Sequence, residues 1–151
     1  MLDLKISTKG RYGLRAMVDL AANSEGEHVS LNSIAERQDV SENYLEQVFS
    51  TLRKANLVKS VKGAQGGYVL AESPSRIFVG DILRALEGDL SVIDRQDESR
   101  EPPDSIEYCL TEGVWEKINE SVSSVVDSIT LEDLAIQYKK LKGGQSLMFY
   151  I

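Results

Sequence analysis

The residues best placed to do chemistry here are lysines set against glycines. Leu57–Leu70 reads LVKSVKGAQGGYVL, two β-prone runs pinched around KGAQGG, with Lys59 and Lys62 beside the turn and no acid within it. Glycine lets a backbone approach an anion closely, and a nearby ammonium group supplies the opposite charge, so the expected ligand is a phosphate. A cofactor phosphate would require a strand, then GxxxxGK[ST] or GxGxxG, then a helix. Neither pattern occurs, and the turn leads into a second strand-like run at Tyr68–Leu70. The stretch therefore predicts a wing, a hairpin whose tip lies along a nucleic-acid backbone. Lys9, Arg11, Lys59, Lys62 and Gly63 are the candidate phosphate contacts.

The net charge of -7 opposes such a partner as a total, but not once it is divided along the chain. Residues 1–70 hold nine Lys/Arg against eight Asp/Glu, whereas residues 71–151 hold eight against sixteen. Two acid-free basic stretches, Lys5–Arg15 and Gln47–Leu70, sit in the first half, and binding responds to that local field more than to the total. Other chemistries lack parts. The 151 residues contain one cysteine, Cys109, and one histidine, His28, with no metal-ligand spacing and no nucleophile–base order around either. An enzyme is not expected, nor a metal or cofactor. No run approaches the roughly 18 apolar residues of a membrane span, and the N-terminus lacks a signal-peptide core. With a lone cysteine, these features lead to the expectation of a cytoplasmic protein with no membrane partner.

The elements that would position the lysines follow from periodicity and caps. Ser7 caps a first helix with Leu14, Met17, Val18 and Ala21 at i, i+3, i+4, i+7; Ser30 precedes a short second one over Leu31–Arg37. Ser41 opens a third, with Leu45, Val48, Phe49 and Leu52 on one face, ending near Asn56. Two helices joined by a short turn match a helix-turn-helix, and equally an ordinary helical hairpin; the wing that follows decides for the former. The fold class expected is mainly α with a small β-hairpin wing: a winged helix-turn-helix domain plus a long C-terminal dimerisation helix. At the start of the third helix, Ser41, Glu42, Asn43, Tyr44, Glu46 and Gln47 stand where base edges would be read. Asn and Gln suit adenine, and Glu46 needs a cytosine amino group to offset its charge in a phosphate-lined groove. Tyr12 and Tyr68 read as packed rings.

Beyond Ser73-Pro74, a helix through Val79, Ile82, Leu83 and Leu86 closes at Gly88, completing a domain over residues 1–88. Residues 89–108, rich in acids and including DRQDESREPPDS, are expected to be an exposed loop. Within 109–142, Trp115, Ile118, Val122, Val125 and Ile129 recur at 3, 4, 3, 4, the seam of a helix packed on a partner helix or on its own domain. Dimerisation is the preferred reading, because a helix-turn-helix usually meets two half-sites as a symmetric pair. Thr130 and Asp133 resemble a capping box for a last short helix through Leu134 and Tyr138, followed by an apolar tail, residues 143–151, expected to dock. Cys109 lies between Glu107 and Glu112, which disfavour a thiolate, so a packed, inert thiol is preferred over a redox sensor.

KISTKGRYGLRAMVDLA at Lys5–Ala21, SIAERQDVSENYLEQVFSTLRKANLVKSVKGAQGGYVLA at Ser33–Ala71 and VGDILRALEG at Val79–Gly88 resemble the Rrf2 family of bacterial winged-helix transcription regulators. The resemblance implies a homodimer with a long dimerisation helix on double-stranded DNA at a palindromic operator. The iron-sulfur branch of that family holds a cluster through three cysteines near the start of the dimerisation helix and a histidine three residues after the last. Cys109 matches the last cysteine, Glu112 stands in place of the histidine, and the earlier two cysteines are absent. A cluster is therefore not expected. SITLEDLA at Ser128–Ala135 and LMFYI at Leu147–Ile151 are similar to segments of the cluster-free branch, which contains the repressor of cysteine metabolism. That similarity implies control of cysteine or sulfur metabolism, with cysteine synthase as a partner enzyme. The alternatives are a regulator of iron-sulfur or redox homeostasis, and an interaction module that has lost DNA binding.

Overall fold

The computed structural model describes residues 5–93 and 102–149. Three serines start three helices as their spacing predicts. The hydroxyl oxygens of Ser7, Ser30 and Ser41 accept from the N–H groups of Gly10, Ser33 and Tyr44 at 3.1, 3.2 and 3.1 Å, satisfying donors that the first helical turn leaves unpaired. The helices are α1 (Thr8–Asn23), α2 (Leu31–Gln38) and α3 (Glu42–Lys54). The turn between α2 and α3 passes through Asp39 in the left-handed region, φ 54°, a conformation that Asp tolerates better than most residues.

A two-stranded antiparallel hairpin follows, β1 (Val58–Val61) and β2 (Gly67–Leu70), in the register Val58↔Leu70 to Val61↔Gly67. Val29, just before α2, adds a bridge to Tyr68 through N–H···O bonds of 3.0 and 2.9 Å in both directions. Here the backbones crowd: a Cβ on Gly67 would lie 2.3 Å from the Val29 carbonyl oxygen, so only glycine fits. After a 3₁₀ turn at Pro74–Arg76 comes α4 (Val79–Glu87). Ala16, Met17, Leu20, Ile34, Leu45, Val48, Phe49, Leu52, Val58, Ile77 and Ile82 make a single core in which each is at most 1% exposed.

The C-terminal part departs from the sequence reading in three ways. First, the expected dimerisation helix is interrupted: α5 (Ile106–Leu110) runs through a π-helical turn, Thr111–Trp115, into α6 (Glu116–Val126). A π turn inserts an extra residue and rotates everything beyond it around the axis. Second, Ile129 lies past the end of α6, where its carbonyl accepts from the Val79 N–H at 2.9 Å. Third, the last helix is long. The expected capping box is present, with Thr130 N–H on Asp133 Oδ2 and Asp133 N–H on Thr130 Oγ1, both 3.0 Å, but α7 then continues over Leu131–Phe149 through Gly143 and Gly144. Its first turn enters the winged domain: Leu131 is fully buried, Ala135 is 7% exposed, and the Leu131 N–H bonds the Ile77 carbonyl at 2.9 Å. Residues 94–101 of the expected acidic loop lie outside the described residues, as do the side chains of 145–149 and all of Tyr150 and Ile151, on which the docking of the tail was expected. No helix among the described residues is long and apolar enough to cross a membrane.

Candidate nucleic-acid interface

The third helix is amphipathic, and its outer face is a continuous polar trough. Leu45, Val48, Phe49 and Leu52 anchor α3 in the core, which turns Asn43, Glu46, Gln47, Ser50, Thr51 and Lys54 outward along an open hollow. The spacing 43, 46, 47, 50, 51, 54 is the complement of the buried stripe. The expected base-reading set ends at Gln47, whereas the same periodicity carries this face on to Ser50, Thr51 and Lys54. Lys9 reaches the trough from α1, its Nζ donating to Thr51 Oγ1 at 3.5 Å.

The expected base-reading set divides. Asn43, Glu46 and Gln47 lie on the trough. Ser41 is exposed, but its hydroxyl is engaged as the cap of α3. The exposed Glu42 carboxylate accepts from Asn32 Nδ2 at 3.3 Å. Tyr44 turns inward, its ring packed on the core and set edge-on to Tyr12 at 6.3 Å between centroids.

The wing tip is open to solvent. Residues 61–65 are all exposed, Gly63 has φ 130°, which a side chain would oppose, and Lys59 is exposed as well. The Gly66 N–H closes the turn on the Gly63 carbonyl at 3.0 Å. His28, for which the sequence suggests neither a metal-ligating nor a catalytic role, hydrogen-bonds the Gln65 carbonyl oxygen and ties the tip to the body. The tilted stack of Phe49 on Tyr68, 4.9 Å between centroids, packs the hairpin against α3. Among the described residues the ion pairs are Arg37–Asp19 and Arg84–Asp127, so the ammonium groups of Lys54, Lys59 and Lys62 have no carboxylate partner.

Arg11 does not join this surface. Two residues apart on a helix, Lys9 and Arg11 point in nearly opposite directions, and Arg11 lines a cavity between α1 and α7.

Two ion pairs join neighbouring elements. Asp19, 2% exposed in its side chain, receives a bidentate Arg37 at 2.8–3.2 Å and Gln38 Nε2 at 2.8 Å; the hydrogen bond to Asp19 raises the Arg37 pKa above its usual range. At the outer end of α4, Arg84 grips Asp127 at 2.6 and 2.9 Å, which lowers the Asp127 pKa and raises that of Arg84.

Along α5–α6 the outward apolar residues are Ile106, Leu110, Val114, Ile118 and Val125. Of the expected seam only Ile118 and Val125 are among them. Trp115 and Val122 are half-buried, and Val122 lines a hollow together with Ile6 and Val92 of its own chain. Cys109 is exposed, correcting the expectation of a packed thiol.

Comparison with known proteins identifies the family. The model of the family Rrf2, described as "Iron-dependent Transcriptional regulator", matches residues 6–137. The regulator CymR of Bacillus subtilis is 47% identical over 149 residues, 98% of this chain and all of that one. Its solved structure, titled the global cysteine regulator of B. subtilis, superposes with a TM-score of 0.75 over 91% of this chain and 98% of that one. IscR of T. potens is 50% identical with a TM-score of 0.73, over 91% and 90% of the two chains. These relatives are regulators and not enzymes. The residues present do not fit the iron of the family description as a cluster: Cys109 has beside it Glu112, bonded to the Tyr108 hydroxyl at 2.6 Å, and the sole histidine is occupied at the wing. No group of three or more potential metal-ligating side chains occurs among the described residues. With its three capped helices and hairpin, and its match over residues 6–137, the chain belongs to the Rrf2 family of transcriptional regulators.

Proposed function

We propose that this regulator is a cytoplasmic repressor that grips a palindromic operator as a homodimer, laying α3 in the major groove and the wing along the flanking backbone. The observation that carries this reading is an exposed polar trough next to exposed lysines that have no carboxylate partner among the described residues, with the hairpin packed on the same helix. Asn43 and Gln47 suit adenine, and Glu46 selects cytosine because elsewhere in the groove its charge would be unfavourable. Lys54, Lys59, Lys62 and the open main chain at Gly63 meet phosphates, with Lys9 at the rim. The exposed apolar stripe of α5–α6 supplies the contact between copies, with Ile118 and Val125 retained from the expected seam.

Similarity to CymR supports control of cysteine or sulfur metabolism, and the SITLEDLA and LMFYI segments support cysteine synthase as a partner. The test is fluorescence anisotropy with the duplex upstream of the regulator's own gene, at about 50 mM salt. Specific binding with a Kd in the range of about 10⁻⁸–10⁻¹¹ M, one dimer per palindrome, is expected. Absence of binding even at that salt would defeat the reading, and sedimentation of Val125→Glu as a monomer would confirm the contact between copies. A pull-down with cysteine synthase, comparing the full chain with one lacking residues 148–151, tests the partner.

A further inference from the structure

Between the N-terminal half of α1 and the first turns of α7 lies a partly open cavity of about 510 Å³. Its walls are chiefly carbon, from Leu14, Val18 and Leu134 and the rings of Tyr12 and Tyr138. The charges at its margin are unbalanced. Arg11 and Arg15 line it, and neither has a carboxylate partner among the described residues. Arg15 lies over the Tyr12 ring, 4.6 Å from its centroid, and uses Nε and one Nη donor on Gln38 at 3.2 and 3.0 Å, which leaves its remaining N–H groups available. The one acid in the lining, Asp19, is already engaged by Arg37 and Gln38. Lys142 adds positive charge behind the far wall, 5.2 Å from the centroid of Tyr138.

A cavity of this size, apolar but for a few convergent polar groups, has the form of a small-molecule site. A guanidinium with free donors at its margin selects a planar anion that can accept two parallel hydrogen bonds, and the carbon walls select an apolar body behind it. We propose that this cavity binds a small amphipathic carboxylate as an effector, and that its occupancy is passed to the recognition helix through Tyr12. The Tyr12 ring is both a wall of the cavity and, edge-on at an interplanar angle of 87°, the neighbour of Tyr44 in the first turn of α3. A ligand that shifts Tyr12 therefore changes the setting of Asn43, Glu46 and Gln47 on the same helix. It alters operator affinity by as much as its own affinities for the two settings differ.

The effect on DNA rests on the proposed function; the binding itself does not, and it is measured separately. The probes are 3-phenylpropionate and its neutral amide, titrated by calorimetry into the full chain. The acid is expected to bind at least about tenfold tighter than the amide, with Arg15→Gln removing that preference and Leu134→Trp, which fills the cavity, abolishing binding. Saturating acid is expected to change operator affinity by roughly tenfold, within the usual range of such couplings. Equal affinity for acid and amide overturns the proposal, as does a preference that Arg15→Gln leaves intact. A changed monomer–dimer equilibrium in Leu134→Trp also overturns it, because the cavity would then be the seat of a second copy. Operator binding without carboxylate binding sinks this inference alone, whereas carboxylate binding without operator binding sinks the function proposed above.

Discussion

Lys62→Ala tests the wing most directly, because Lys62 is exposed at the tip, has no carboxylate partner among the described residues, and leaves the core untouched when truncated. Each phosphate neutralised on duplex DNA releases counterions, so log K falls against log salt with a slope of about -0.9 per contact. With Lys54, Lys59 and Lys62 engaged in each copy of a dimer, about six contacts give a slope of about -5.4, and raising salt from about 50 to 200 mM weakens binding by roughly three orders of magnitude. Lys62→Ala removes two of these contacts. The slope is then expected to fall to about -3.6, and affinity at about 100 mM salt to drop by up to ~60-fold, equivalent to about 2.4 kcal/mol. The assay is operator anisotropy at four or five salt concentrations, with circular dichroism as the check on folding. A weaker affinity with an unchanged slope would place Lys62 away from the backbone, and the wing would then need another role.

Asp19→Ala removes the acceptor for Arg37 and Gln38 at a site where Asp19 is 2% exposed. Because Arg37 is 35% exposed and can rehydrate, the loss expected in urea denaturation is about 2 kcal/mol, below the 3–5 typical when both charges are buried. Gly67→Ala places a methyl against the Val29 carbonyl oxygen and should cost about 1–3 kcal/mol, with faster amide exchange at Val29 and Tyr68 before the helices are affected. The Asp127 pKa is lowered in the folded state by Arg84, so this pair stabilises the fold above the unfolded carboxylate value of about 3.9 and its contribution is lost as pH falls through the lower folded value. Both side chains are well exposed, 39% and 46%, so Asp127→Asn should cost only a few tenths of a kcal/mol at pH 7, the difference closing in acid. A stability gap that persists below pH 3 would show that Asp127 acts through packing and not through charge.

Much of this molecule was legible in its order of residues, for local reasons. Serine at three N-caps, apolar residues at i, i+3, i+4 and glycines between two β-prone runs act over a few positions, so they marked α1 to α3 and the wing before any packing was known. The same locality made Asn43, Glu46 and Gln47 recognisable as an outward face, and could have extended it to Lys54. Periodicity failed where tertiary contacts set the outcome. The π turn at Thr111–Trp115 displaced the seam that regular spacing assigned to Trp115, Ile118, Val122, Val125 and Ile129. Leu131 returned α7 to the core through hydrogen bonds with a segment more than fifty residues earlier, which no local window contains. Charge counting placed Lys9 and Arg11 on one basic stretch, but helical geometry sent one to the trough and the other to the α1–α7 cavity. Which elements form is settled by near neighbours along the chain; which faces meet, and which cations are left free, is settled only when distant segments compete for the same buried surface.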